Sequence, residues 1–127
     1  MALLSAAVSA LQAAPASASG FDRTDLLQHD VPEIGRQVSQ TRVDIAPGAS
    51  SPRHRHPGVE IAHVLQGTLE YRLDGQAPVT LKAGDSLFIP AGTFHVARNV
   101  GSSPASELAT YILETGKPTL EVAPAAR

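Results

Sequence analysis

His54, His56 and Glu60 fall within seven residues of one another, in the stretch from Gly48 to Gly67 that reads GASSPRHRHPGVEIAHVLQG. Downstream, the stretch from Gly84 to Asn99, GDSLFIPAGTFHVARN, adds His95 behind a Pro-Ala-Gly turn. Three imidazoles and one carboxylate make a ligand shell suited to a divalent transition metal. No cysteine occurs in the 127 residues, so a thiolate-held zinc, a thiol nucleophile and a disulfide framework are excluded. Any metal here must be held by nitrogen and oxygen.

Such a site needs elements that bring the two stretches together. From Arg36 onward the apolar residues recur with period two, as in half-buried strands. Expected strands cover residues 38–46, 59–65, 69–73, 79–81, 86–89, 94–100 and 108–114. Asp74-Gly75 between two alternating segments is a hairpin signal. About eight short strands with turns between them and no long helical pattern read as an all-β sandwich or barrel. Ten glycines and ten prolines agree with that density of turns.

Strand parity places the candidates. His54 and His56, two apart, point to one face, while Arg53 and Arg55 point to the other. Pro57-Gly58 is expected to break that strand and reverse it, bringing Glu60 back beside the imidazoles. Ala62 and Val64 share the parity of Glu60, so the lining beyond the carboxylate is small and apolar. His63 has the opposite parity and faces away. Tyr71, Phe88 and Phe94 read as core or barrel packing rather than a platform for substrate. The rival reading of Arg53-His54-Arg55-His56, flanked by Pro52 and Pro57, is a solvated basic loop.

The rest of the chain bounds the function. A charged fraction of 17%, 43% apolar residues and a net charge of −2 describe one globular domain with no basic footprint for nucleic acid. Residues 1–20 carry no charged side chain and include Ala16-Ser17-Ala18, an A-x-A pattern that signal peptidase accepts. They read as an export signal without a basic leader, to the periplasm or outside the cell; a flexible Ala-rich arm on a cytoplasmic protein is the alternative. In the body of the chain no apolar run is long enough to cross a bilayer as a helix. The segment 21–33 is expected to be a polar lead-in with at most a helical turn at 24–28, and His29 in it a solvated loop residue. Residues 117–127 form a Pro- and Ala-rich tail expected to fray, which leaves 21–116 as the domain. No G-x-S-x-G elbow or phosphate-cradling loop occurs.

The two motifs together resemble the cupin family. Its first motif, G-x5-HxH, three or four residues, E, x6, G, is filled by Gly48, His54, His56, Glu60 and Gly67. Its second, G-x5-PxG-x2-H-x3-N, is filled by Gly84, Pro90, Gly92, His95 and Asn99. The resemblance implies an antiparallel jelly-roll barrel, often dimeric, with His54, His56, Glu60 and His95 as metal ligands and Asn99 in a structural role. The ion it implies is Fe, Mn, Ni, Co, Cu or Zn in the divalent state, with one or two coordination positions open to a small-molecule substrate or dioxygen. The expected function is that of a quercetin-dioxygenase-like oxygenase, in which Glu60 is read first as a fourth ligand only, with a second role as a base as the alternative. Alternatives are a cupin isomerase or lyase, and a non-catalytic metal- or ligand-binding module.

Overall fold

The computed structural model describes residues 19–124, and the candidate export signal lies almost wholly outside them. In chain order the strands are β1 (Phe21–Val31), β2 (Arg36–Ile45), β3 (His54–Arg55), β4 (Gly58–Gln66), β5 (Thr68–Leu73), β6 (Val79–Lys82), β7 (Ser86–Ile89), β8 (His95–Asn99), β9 (Ala105–Glu114) and β10 (Glu121–Val122). A 3-10 turn, Pro32–Ile34, joins β1 to β2. Two five-stranded antiparallel sheets result, one in the order β1-β2-β9-β4-β7 and the other β10-β3-β8-β5-β6. The all-β expectation therefore holds, and the two sheets enclose one core.

Period-two patterning builds that core. Val43 and Ile45 of β2, Ala62 and Val64 of β4, Leu69, Tyr71 and Leu73 of β5, Ala97 of β8 and Ala105, Ala109, Tyr111 and Leu113 of β9 are all buried. Burying alternate side chains from both sheets is the main favourable contribution to folding, at about 25 cal/mol per Å² of apolar surface. Asn99, fully buried, satisfies its amide by donating to the Ile45 and Ser103 carbonyls and accepting from the Gly101 N–H. That agrees with the structural role expected of it.

Three expectations are corrected. Residues 21–31 are not a lead-in but a full strand, paired antiparallel with β2 along its length, so His29 lies on an exposed strand. Leu26 and Leu27 are both half exposed, and the register shifts between Asp25 and Leu27. That bulge breaks the alternation by which a strand is recognised. Pro57-Gly58 does not fold β3 back on itself. It carries the chain from one sheet to the other, since β3 pairs with β8 and β10 while β4 pairs with β7 and β9. Phe88, expected in the core, is 58% exposed on the outer face beside its cross-strand partner Ile61.

Candidate metal centre

Both sheets contribute to the site. His54 sits on β3 and is the direct cross-strand partner of His95 at the start of β8. Glu60 comes from β4 in the opposite sheet, and His56 from the crossover between the sheets. Two backbone features lock the crossover. The Gly92 N–H donates to the His56 carbonyl at 3.0 Å, tying the second motif's turn to the first. Gly58 lies so close to β9 that a Cβ there would stand 2.0 Å from the Ile112 carbonyl oxygen.

The four side chains are 2–5% exposed, and their candidate ligand atoms lie within 4.8 Å of one another. Four atoms each bonded to one ion at about 2.1 Å would lie roughly 3 to 4 Å apart, so the cluster has the size of a coordination shell. The structure thus brings together all four residues singled out from the sequence, and the basic-loop reading is set aside for His54 and His56.

Proton placement shows what the cluster lacks. The Nδ1 atoms of His54, His56 and His95 contact the carbonyl oxygens of Pro52, Thr119 and Thr93 at 2.7, 2.7 and 2.9 Å. A carbonyl only accepts, so each Nδ1 carries the hydrogen and each neutral ring turns a lone pair at Nε2 inward. Glu60 Oε2 stands 3.0 Å from Nε2 of His56 and 3.2 Å from Nε2 of His95. With neutral rings these are acceptor-to-acceptor approaches, and His56 Nε2 and Glu60 Oε2 indeed have no hydrogen-bond partner. Buried acceptors aimed at one point call for a cation there. These residues can therefore hold a divalent metal.

The electrostatics agree. Burial pushes the Glu60 carboxyl up, but the His56 and His95 imidazoles outweigh it and bring it down to about 2. Burial lowers His54 to about 4, keeping its ring neutral. At His95 burial acts in the same direction, yet the Glu60 carboxylate raises its pKa overall.

Sequence parity also predicted the surroundings, in part. Ala62 and Val64 line the interior, and His63 faces away, its Nδ1 2.7 Å from Ser86 Oγ. Arg53 and Arg55 face outward as expected but are not idle. Their guanidinium carbons lie 4.4 and 4.6 Å from the centroid of the half-buried Phe94 ring, and they pair with Asp74 and Glu121. Tyr71 packs in the core, its hydroxyl bonded to Glu107.

Three contributors were not anticipated. Glu107 is a second buried acid; burial and then the Glu60 charge raise it to about 7. Tyr111 packs against the His56 ring with centroids 4.5 Å apart and planes tilted by 45°, and the Arg23 guanidinium carbon lies 5.6 Å from the Tyr111 ring centroid. Burial keeps the hydroxyls of both Tyr71 and Tyr111 protonated. The signal for the first two was parity: Glu107 and Tyr111 alternate with Ala105 and Ala109 on the inward face of β9. Thr119 had no such signal. A cavity of about 700 Å³ lies against the Val59 and Ile112 side of the β4–β9 pair and reaches one of the four clustered residues, His56.

Comparison with known proteins follows the same line. The pattern of the family described as "Cupin domain" matches residues 41–111. Germin-like protein 5-1 of Oryza sativa subsp. japonica is 38% identical over 79 residues, covering 58% of this chain and 36% of that protein. Oxalate oxidase GF-2.8 of Triticum aestivum is 35% identical over 82 residues, covering 58% and 37%. A solved oxalate oxidase superimposes with a TM-score of 0.69 at 30% identity, over 84% of this chain and 57% of that one. A double-stranded β-helix protein from Klebsiella pneumoniae superimposes at 0.70 over 86% and 89%, with 23% identity, a likeness of fold. The chain spans well under half the length of these two curated relatives.

Proposed function

The chain belongs to the cupin family, and from that premise we propose that it is a metal-dependent oxidoreductase that uses dioxygen to oxidise a small organic molecule. The observation that carries this reading is the convergence of three Nε2 lone pairs and the Glu60 carboxylate on one point. His54, His56, Glu60 and His95 are the ligands in this proposal. A bound Fe, Mn, Ni, Co, Cu or Zn ion would supply Lewis-acid and, for the redox-active members, electron-transfer chemistry at its open positions. The protein's part is to aim the three Nε2 atoms inward, exclude water and hold substrate. Glu60 has a second proposed role as a base, for which its carboxylate would leave the ion to take a proton from substrate. The likeness to proteins named oxalate oxidase puts small carboxylic acids beside flavonols, catechols and diketones as substrates to test.

The test is oxygen uptake by protein loaded with Fe(II) or Mn(II) against that panel. Uptake with one substrate, lost in His54→Ala and His95→Ala, is the expected result. Full metal occupancy with no turnover of any of them would favour the second reading, a non-catalytic metal-binding module. One observation supports that alternative: the four ligands are almost fully enclosed, and closed shells are typical of metals that serve structure.

Two further proposals complete the picture. Residues 1–18 act as an export signal, so the exported protein would begin at Ser19, which N-terminal sequencing of secreted material reads directly. The protein forms a homodimer through the outer face where Ile61, Leu65 and Phe88 are exposed.

A further inference from the structure

His56 differs from its two companions in what orients it. His54 and His95 each bond a carbonyl two residues earlier, at Pro52 and Thr93, so their own turns set their tautomers. His56 bonds the Thr119 carbonyl, 63 residues further along the chain. Its orientation depends on a segment that returns from the end of β9.

That segment is held by few bonds. β10 pairs with β3 through Glu121↔Arg55 and Val122↔His54. The Ala123 N–H donates to the Arg53 carbonyl at 2.8 Å, and Arg55 forks onto both carboxylate oxygens of Glu121 at 3.0 Å. No residue from 117 to 123 is buried, and Val122 is 52% exposed. A segment whose apolar residues Leu120 and Ala123 are only part-buried, outside the core cluster, and whose ion pair is solvent-exposed opens at low cost, independently of the barrel.

We propose that residues 117–123 are a strap that holds His56 in its metal-ligating tautomer, so that the strap governs retention of the ion rather than stability of the barrel. The inference rests on the reading that His54, His56, Glu60 and His95 hold a metal. Closed, the strap takes the Nδ1 hydrogen onto Thr119 and commits Nε2 to the site. Open, it frees the ring to turn or to exchange tautomers, and one of four ligands is lost from the ordered set. Lys117, Pro118 and Glu121 also line the 700 Å³ cavity that reaches His56, so opening the strap removes part of the wall on that side. Thr119 and Glu121 are positioning residues in this scheme, since neither offers an atom to the ion.

The experiment compares the full chain with two variants: Glu121→Ala/Val122→Pro, which removes the ion pair and one rung of β10, and a chain ending at Gly116. Zn(II) affinity is measured by competition with a chelator, the metal-free melting temperature by calorimetry, and the His56 tautomer by ¹⁵N NMR. The expected result is a 10- to 100-fold loss of affinity, the range typical when a ligand's orienting partner is removed. The metal-free melting temperature should change by no more than about 4 °C, and the His56 Nδ1–H population should fall while those of His54 and His95 stay. Unchanged affinity in the double variant overturns the strap, as does a loss of affinity that merely follows a fallen metal-free melting temperature. His95→Ala separates the two readings. If it abolishes binding while the strap variants bind like the full chain, the strap alone fails; if the full chain binds no better than His95→Ala, the metal site fails and the strap with it.

Discussion

His54 and His95 face each other directly across the β3–β8 ladder, their ring centroids 4.3 Å apart. With the bond from the Gly92 N–H to the His56 carbonyl, that pair joins the two histidine motifs in space, and Glu60 meets it from the opposite sheet. If the cluster holds a metal, saturating Zn(II) at about 1,000 times its Kd raises stability by about 4 kcal/mol. In His54→Ala and in His95→Ala the same addition should raise it by less than about 1 kcal/mol. Thermal melts with and without the ion measure this, and an undiminished rise in either variant would remove that residue from the ligand set.

The four clustered residues were legible in the sequence because their spacing and flanking turns occur in a fixed pattern that needs no knowledge of packing. Gly48, Gly67, Gly84 and Gly92 all adopt positive φ, as turn positions in that pattern require. β1 was not legible for a physical reason. It is an edge strand with a bulge, its residues are mostly exposed, and neither face carries a continuous apolar stripe. The strap was illegible for another: two residues of strand and one backbone carbonyl leave no periodic trace, and Thr119 acts through an atom every residue has. Glu107 lay between these cases, since parity placed it inward but an acid among alanines reads equally as a surface residue.

Gly58 explains why the crossover from β3 to β4 is so tight. Its backbone torsions are ordinary, so its requirement is space: a methyl group would overlap the Ile112 carbonyl of β9. Gly58→Ala should therefore cost at least the 1–3 kcal/mol typical of overpacking, because backbone rather than a movable side chain is in the way. Chemical denaturation of the metal-free protein checks this. A variant as stable as the parent would mean that β4 can move off β9 without loss.

The outer face of β4 and β7 presents Ile61 at 40%, Leu65 at 43% and Phe88 at 58% exposure. Ile61 and Phe88 are cross-strand partners, so their side chains form one apolar patch rather than scattered contacts. Sedimentation should find a dimer whose dissociation is favoured at least tenfold by Phe88→Glu, with the fold unchanged by circular dichroism. A monomeric parent protein at micromolar concentration would exclude the dimer at this face.

Glu107 gives the metal-free protein a pH dependence opposite in sign to that of His54 and Glu60. Its pKa in the folded protein, about 7, lies above the ordinary 4.5, because burial and the Glu60 charge disfavour ionisation. The other groups acting on it are Tyr71 on β5, His95 on β8 and Arg23 on β1. Between pH 4.5 and 7 the folded protein keeps a proton that the unfolded chain releases. The stability this provides is complete below 4.5 and is lost as pH rises through 7, by about 1.4 kcal/mol per unit and roughly 3 kcal/mol in all. His54 and Glu60 act in the reverse direction. With folded values of about 4 and about 2 against ordinary values of 6.5 and 4.5, they cost stability as pH falls through 6.5 and through 4.5 respectively. Glu107→Gln removes only the first effect while keeping an oxygen that can accept from Tyr71. The variant's stability relative to the parent should therefore rise steadily from pH 4.5 to 7, as read by denaturant titration at each pH. A difference that stays flat across that window would show that Glu107 is ionised in the folded barrel.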